Sequence, residues 1–278
     1  MTSNKVWFVT GASKGLGLIL VKLLLNNGNK VAATSRTIAD LEKAVDHDSE
    51  KFLPLAVDLT NEFSVGQAIE QTIQNFGKID VIVNNAGYGL GGSIEELSDK
   101  EVRQNFDVNV FGTLNVIRQS LPFLRTQKSG HIINIASASG YIGTGGFGGY
   151  SATKSAVIGL SEALAEEVQQ LGIHVSMIAP GFLRTNFLSS DSVAYAKNEI
   201  EAYLTVRDLR TYFDDYSGKQ AGDPKKVAEA IVQITSIDNP PVHLLLGSDA
   251  YSLVTSKLDS LKSEFEQWKE TSKAINFE

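Results

Sequence analysis

The sequence predicts an α/β fold in which helices cover both faces of one doubly wound parallel sheet. Short, continuously apolar segments such as residues 6–10 are typical of strands that are buried on both faces. Segments with apolar residues at helical spacing alternate with these strands along the chain. The 278 residues contain no linker rich in Pro, Gly or Ser, so we expect a single domain over residues 1–278.

The composition argues against several classes of function. The formal net charge is −7 and no cluster of Lys and Arg stands out, which disfavours a nucleic-acid partner. The chain has no cysteine and its four histidines are scattered, so we expect no disulfide and no metal site. No early segment resembles a signal peptide or is long enough to span a bilayer. We therefore expect a soluble, cytoplasmic protein with no membrane partner.

The first strand, residues 6–10, leads through a glycine turn into a helix. Apolar residues recur at helical spacing from Leu16 onward, so the amino end of this helix points at the turn. Backbone N–H groups and the helix dipole favour an anion there, such as a pyrophosphate, and glycines let it approach closely. The candidate binding residues in this turn are Gly11, Ser13, Lys14, Gly15, Leu16 and Gly17.

Two other interpretations of this turn stay open. It can be a glycine-rich turn without a ligand. Residues 11–15 also satisfy G-x-S-x-G, the nucleophile elbow of α/β-hydrolases, which would make Ser13 a serine nucleophile. The hydrolase interpretation is the weaker one, because the oxyanion hole of those enzymes needs an earlier strand–helix loop and none is predicted.

The second strand, residues 30–34, is followed by Ser35 and Arg36. Dinucleotide folds that use NAD place an acid near this point for the ribose 2′-hydroxyl, and no acid is present. Arg36 offers a planar donor fork suited to phosphate, and Lys14 in the glycine turn is a second cation. This combination favours the 2′-phosphate of NADP(H), although both residues can also be solvated surface charges.

The third strand, residues 52–57, is followed by Asp58. Its carboxylate can accept a hydrogen bond from an adenine amino group. It can also cap the helix predicted at residues 62–76, and Thr60 is an alternative cap.

The fourth strand, residues 79–83, is followed by Asn84-Asn85-Ala86-Gly87. Part of this motif can be purely structural, because asparagines at a strand end form hydrogen bonds with neighbouring backbone.

A long amphipathic helix is predicted over residues 99–126, with Asn109 among apolar neighbours. A buried Asn needs partners. These can be a bound water that relays protons or, alternatively, the local helix backbone.

The fifth strand, residues 132–136, ends at Ser137, and a glycine-rich loop over residues 140–149 can fold Ser137 back towards Tyr150. Tyr150 and Lys154 are four residues apart, so on a helix they share a face and can point into one pocket. A free tyrosine has a pKa of about 10. A fixed cation nearby is expected to lower that pKa and make the phenol an acid or base near neutral pH.

The remaining chain completes the sheet and covers the cleft. Residues 186–222 are polar, and we expect short helices that form a substrate lid. Aromatic residues suggest a partly apolar pocket, although they can equally be packing residues of the lid: Tyr141, Phe147, Phe182, Phe187 and Tyr203. The other predicted elements are a sixth strand at 173–178, a helix at 224–235, a last strand at 242–246 and a C-terminal helix at about 252–268 within a C-terminal helix and tail over 250–278.

Six motifs in order make the chain resemble the short-chain dehydrogenase/reductases over nearly its whole length. They are T-G-x-x-x-G-x-G at 10–17, N-N-A-G at 84–87, the helix Asn109, Ser137, Y-x-x-x-K at 150–154 and P-G-x-x-x-T at 180–185. The resemblance implies a Rossmann-like fold and NADP(H) binding. The cofactor residues that it implies are Gly11, Ser13, Lys14, Gly15, Leu16, Gly17, Arg36, Asp58, Asn85, Ala86, Gly87, Tyr150, Lys154, Pro180, Gly181, Leu183 and Thr185.

The resemblance also implies catalytic roles. Tyr150 would be the general acid in carbonyl reduction, and Lys154 would lower its pKa and hold the nicotinamide ribose. Ser137 would orient the carbonyl, and Asn109 would hold a water in the proton relay. The resemblance thus implies an NADPH-dependent carbonyl reductase that acts on a small-molecule carbonyl or alcohol substrate. The alternatives are a non-catalytic NADP(H)-binding regulator and the serine hydrolase.

Many members of this family form tetramers through the helices that correspond to residues 99–126 and 150–170. We therefore expect a homo-oligomer, a dimer or tetramer. The C-terminal segment is longer than in the commonest members and can alter the assembly.

Overall fold

The computed structural model describes residues 4–46, 49–189 and 192–277. Two residues of the segment expected to form a lid, 190 and 191, and residue 278 of the C-terminal tail lie outside the described residues. Within the described part, none of the helices is long and apolar enough to cross a membrane.

One parallel sheet of seven strands organises the chain, as the sequence predicts. Its order is β3-β2-β1-β4-β6-β7-β9, so the strand order reverses beside β1. In such sheets ligands bind at the carboxyl ends of the strands, at this reversal. In chain order the elements are β1 (Val6–Val9), α1 (Gly15–Asn26), β2 (Lys30–Ser35), α2 (Ile38–Val45), β3 (Phe52–Ala56), α3 (Glu62–Phe76), β4 (Val81–Asn84), β5 (Gly89–Gly91), α4 (Asp99–Phe106), α5 (Gly112–Gln127), β6 (Gly130–Ile135), α6 (Gly148–Val168), β7 (Ile173–Pro180), β8 (Val193–Tyr195), α7 (Leu204–Tyr216), α8 (Pro224–Ile234), β9 (His243–Leu246), α9 (Ser248–Gln267) and α10 (Lys269–Lys273).

Two apolar cores lie on opposite faces of the sheet. Successive residues of β1 point to opposite sides, so Trp7 packs in one core and Phe8 in the other. The first core is completed by α1, α2 and α8, for example through Leu20 and Ile231. The second is completed by α3, α5 and α6, for example through Ile69. Because both faces are covered, the strands read as continuous apolar runs rather than alternating ones.

The helix predicted over residues 99–126 is not continuous, which corrects the prediction. It consists of α4, one π-helical turn at Asp107–Phe111, and α5. A π turn inserts an extra residue into the helix and re-aims its side chains. Asn109 lies inside this turn, and its side chain leaves the helix to bond elsewhere, as described below.

The remaining predicted elements lie within about four residues of their observed bounds. The C-terminal helix begins earlier than expected, at Ser248. The sequence did not indicate α2, nor the small second sheet in which β5 pairs with β8. This small sheet attaches the segment after β7 to the loop after β4.

Candidate active site

The glycine turn after β1 is held in place by the segment that follows β4. The Asn85 side chain donates to the carbonyls of Thr10 (2.9 Å) and Gly11 (3.0 Å). The Thr10 hydroxyl accepts from the backbone N–H groups of Asn85 (3.0 Å) and Ala86 (3.1 Å). A Cβ atom on Gly17 would lie 2.5 Å from the Asn85 amide nitrogen. The N-N-A-G segment therefore braces the turn, so the structural interpretation of part of this motif is confirmed.

The geometry of the turn fits a dinucleotide phosphate. Gly11 and Gly15 have φ angles of +64° and +58°, a region that favours glycine. Apart from its chain neighbours and the backbone of its own helix, no atom of the described residues lies within 4 Å of the position where Gly15 would carry a Cβ, so a ligand can approach its backbone closely. The first turn of α1 contains no acidic residue, which leaves its positive end available to an anion.

The residues expected to bind the adenosine end lie past the carboxyl ends of β1, β2 and β3. Lys14 and Arg36 are both exposed there. The Asp58 carboxylate accepts from the Thr60 backbone N–H (3.0 Å) and hydroxyl (2.7 Å). Neither Asp58 nor Thr60 caps α3, because the Asn61 side chain accepts from the first N–H groups of that helix. The alternative interpretation, in which Asp58 or Thr60 caps this helix, is therefore wrong.

Tyr150 and Lys154 share one face of α6 and are both buried, as their spacing predicts. The Lys154 Nζ lies 5.7 Å from the centroid of the Tyr150 ring. It donates to the Ile135 carbonyl at the end of β6, at 2.7 Å. The ammonium group is thus fixed between the helix and the sheet, directly beside the tyrosine.

Burial shifts the pKa values of both side chains, and the pKa of Tyr150 moves in the direction opposite to the expected one. Burial lowers the pKa of the Lys154 ammonium to about 8. Burial raises the pKa of the Tyr150 phenol above its ordinary value, and a hydrogen bond with Ser137 only partly opposes this. The prediction that Lys154 lowers the pKa of Tyr150 is therefore wrong. The phenol stays protonated at neutral pH and is a proton donor.

Ser137 reaches Tyr150 because the loop after β6 folds onto α6, as the sequence predicts. The Ser155 hydroxyl donates to the Gly140 carbonyl at 2.7 Å. A Cβ atom on Gly140 would lie 2.9 Å from the Lys154 backbone, so only glycine allows this approach. The Ser137 hydroxyl also accepts from the Ser139 N–H (3.1 Å), which fixes its orientation.

Asn109 bonds to residues distant in sequence. Its side-chain oxygen accepts from the Tyr88 N–H, and its amide nitrogen donates to the Tyr88 carbonyl and the Thr153 hydroxyl, each at 3.0 Å. The alternative of a side-chain bond to its own helix backbone is therefore wrong. A Cβ atom on Gly87 would lie 3.0 Å from the Asn109 oxygen and 3.5 Å from the Lys154 Nζ, so both side chains lie next to Gly87. Sequence reasoning missed Tyr88 and Thr153, whose only signal is their position next to Gly87 and Lys154.

The segment after β7 is held by backbone hydrogen bonds to two other parts of the chain. Gly181 N–H donates to the Leu246 carbonyl at 3.0 Å, and Arg184 N–H donates to the Gly222 carbonyl at 2.8 Å. The Thr185 hydroxyl accepts from the Phe187 N–H at 3.2 Å and starts the short helix that follows.

A cavity of about 370 Å³ lies between this segment and the hydroxyls of Ser137 and Tyr150. Three of the five predicted pocket aromatics line it: Phe147, Phe182 and Phe187. The other two do not, since Tyr141 bonds to His243 (2.7 Å) and Tyr203 donates to Glu95. Residues 186–222 contribute Phe187, Leu188, Leu209, Tyr212 and Phe213 to its walls.

Comparisons with known proteins point to one family. Residues 5–195 match the sequence profile described as short chain dehydrogenase. The chain is 36% identical over 272 residues to Oxidoreductase BOA17 of Botryotinia fuckeliana, covering 98% of this chain and 99% of that protein. It is 36% identical over 245 residues to a 3-ketodihydrosphingosine reductase of Bacteroides thetaiotaomicron, covering 87% and 88%. A crystal structure of a short-chain dehydrogenase from Streptomyces avermitilis superposes with a TM-score of 0.90 at 34% identity, covering 98% of this chain and all of that one.

Proposed function

The chain belongs to the short-chain dehydrogenases, which use a nicotinamide cofactor on carbonyl or alcohol groups, and on this premise we propose that it reduces a ketone or aldehyde with NADPH. One observation carries this proposal. The side chains of Tyr150 and Ser137 are close enough for Ser137 to influence the pKa of the phenol, and both residues line the same cavity. A carbonyl oxygen that binds there has two donors at the point where negative charge develops.

Each side chain of the site has a distinct role in this reaction. The nicotinamide would supply the hydride to the carbonyl carbon. The raised pKa of Tyr150 keeps its proton in place until the oxygen becomes basic enough to take it. Ser137 holds the oxygen in line with that proton. Lys154, with its pKa of about 8, is largely charged at pH 7 and favours the phenolate that remains.

Charge at the adenosine end supports NADPH rather than NADH. Arg36, exposed past the end of β2, stands where NAD-dependent folds place an acid. Lys14, in the glycine turn after β1, adds a second positive charge at the same carboxyl-end edge of the sheet. The 2′-phosphate is the part of NADPH that such a pair recognises.

The cavity walls favour an uncharged, largely apolar substrate. Most lining side chains are aromatic or aliphatic, and no Lys, Arg or His is among the lining residues of the described chain. An anionic substrate would therefore lose hydration without gaining a partner. The name of the Bacteroides relative, a 3-ketodihydrosphingosine reductase, is consistent with a ketone that carries an apolar chain. We further propose that residues 186–222 close over this substrate.

The test is a titration with NADPH and NADH, followed by assays of NADPH oxidation on a panel of apolar ketones and aldehydes. We expect tighter binding of NADPH and turnover of some carbonyls. Tyr150→Phe should lower kcat by about 10²- to 10⁴-fold and leave NADPH affinity nearly unchanged. Arg36→Asp should shift the preference towards NADH without affecting kcat.

The outcomes separate the alternatives. Tight NADPH binding without turnover of any carbonyl would favour the regulator. Full activity of Tyr150→Phe would contradict the assigned proton donor. Family membership sets the hydrolase interpretation of Ser13 aside, and labelling of Ser13 by a fluorophosphonate with no nucleotide binding would reinstate it.

A further inference from the structure

We propose that Asp249, in the first turn of α9, is a positioning residue that fixes the Gly181–Phe182 backbone against the reacting centre. The inference rests on the proposed function, because it concerns how accurately the nicotinamide and the carbonyl are brought together. Asp249 lies in none of the sequence motifs of the site. The structure nevertheless places its carboxylate at the wall of the cavity that holds Ser137 and Tyr150.

The contacts of the carboxylate are close and specific. Its Oδ2 accepts from the Phe182 N–H at 2.8 Å. A Cβ atom on Gly181 would lie 2.1 to 2.3 Å from the carboxylate, and one on Gly247 would lie 2.5 Å from Oδ1. The carboxylate thus occupies the space that a side chain at position 181 would need. Glycine is required there because Asp249 packs directly against the backbone.

The surroundings hold the carboxylate firmly. Asp249 is in the first turn of a helix of 20 residues, where the helix dipole stabilises a negative charge. The next residue, Ala250, and then Val254 are buried against Ala138 of the loop that carries Ser137. The amino end of α9 therefore touches both backbone segments of the site, the one after β6 and the one after β7.

This arrangement has a consequence for catalysis. Hydride transfer depends on the distance between donor and acceptor, and a small displacement of a positioning group is costly. The pyrophosphate would bind at the glycine turn, which Asp249 does not touch. Loss of the carboxylate should therefore lower kcat much more than it weakens NADPH binding.

The experiment compares Asp249→Ala with Asp249→Asn and with Asp259→Ala, a control at an exposed position of the same helix. We expect Asp249→Ala to lower kcat by about 10- to 100-fold with little change in the NADPH dissociation constant. Asp249→Asn keeps an oxygen acceptor for the Phe182 N–H and should recover most of the activity. Asp259→Ala should behave as the wild type.

A second measurement does not depend on turnover. Hydrogen exchange of the Phe182 amide should be faster in Asp249→Ala than in Asp249→Asn or Asp259→Ala. Absence of carbonyl reduction by the wild type would overturn the proposed function, whereas unchanged exchange in Asp249→Ala would overturn the role of Asp249 alone.

A double-mutant cycle tests the packing of Asp249 on Gly181 directly, and the Gly181→Ala variant alone tests it if Asp249→Ala folds poorly. Gly181→Ala should be severely impaired, because its methyl group meets the carboxylate. On the Asp249→Ala background the same substitution should cost little more, since the clash is gone. Additive losses from the two substitutions would contradict direct packing of Asp249 on Gly181.

Discussion

At the scale of single residues, the site contains a buried cation whose free-energy cost depends on pH. Lys154 is buried and its pKa falls from 10.5 to about 8. The shift corresponds to about 3 kcal/mol of destabilisation while the amine is protonated in both the folded and the unfolded chain. Between pH 8 and 10.5 the unfolded chain binds the proton and the folded chain does not, so the cost disappears as pH rises through this range.

Lys154→Met should therefore raise the free energy of unfolding at pH 7 by about 2 kcal/mol. The Ile135 carbonyl loses its donor in this variant, which costs about 1 kcal/mol and reduces the gain. The advantage over the wild type should shrink steadily from pH 8 to pH 10.5. Urea unfolding of both proteins at several pH values measures it, with Lys262→Met, at an exposed position of α9, as the control. A stability difference that does not change with pH would contradict a depressed pKa at Lys154.

At the same scale, the sequence correctly predicted that the side chains of Tyr150 and Lys154 meet, but not the direction in which the pKa of Tyr150 shifts. The spacing of Tyr150 and Lys154 follows from helix geometry, so their shared pocket is visible in the sequence. The pKa of Tyr150 depends on how completely the fold removes water from it. The degree of burial depends on how the whole chain packs, so the local sequence from Tyr150 to Lys154 does not reveal it.

At the scale of elements, the glycine turn and the N-N-A-G segment behave as one unit. A Cβ atom on Gly17 would lie 2.5 Å from the Asn85 amide nitrogen and 2.6 Å from the Gly11 carbonyl oxygen. Gly17→Ala should displace Asn85 and distort the turn. We expect a loss of about 1 to 3 kcal/mol of stability and at least about tenfold weaker NADPH binding.

Gly159→Ala in α6 is the matched control for this change. In the part of the chain that the structure describes, no atom beyond the backbone of the same helix lies within 4 Å of the added Cβ, so the substitution should stabilise the helix by about 0.5 to 1 kcal/mol. NADPH affinity should stay at the wild-type value. Calorimetric titration and thermal unfolding measure both variants. Normal NADPH affinity in Gly17→Ala would show that the turn does not need the Asn85 brace.

The elements that could not be predicted from the sequence are those fixed by contacts between residues far apart in the chain. The π turn at Asp107–Phe111 contains no Gly or Pro that would indicate a break in the helix. It is associated with bonds from Asn109 to Tyr88 and Thr153, which are 21 and 44 residues away. The pairing of β5 with β8 joins two strands of only three residues each, too short to show a pattern. Strands and helices with repeated apolar spacing were, in contrast, predicted well.

At the scale of the whole molecule, apolar side chains remain exposed on the helical segment that was predicted to form subunit contacts. Phe111 is 51% exposed and Phe123 is 39% exposed, while the opposite side of α5 packs into the core through Val116 and Leu124. Exposed aromatic residues of this kind are typical of protein–protein contacts. Phe111 also belongs to the π turn that holds Asn109, so a subunit contact there would support the active site.

The proposed homo-oligomer can be tested by light scattering after size-exclusion chromatography. The wild type should have a mass that is two or four times the 30.1 kDa of one chain. Phe111→Glu should lower that mass, because a charge in an apolar contact loses hydration without gaining a partner. Phe265→Glu, at a residue of α9 that is 68% exposed, should leave the mass unchanged. A lower mass for Phe265→Glu and an unchanged mass for Phe111→Glu would place the contact on the C-terminal helix. A wild-type mass of 30.1 kDa would show that the protein is a monomer.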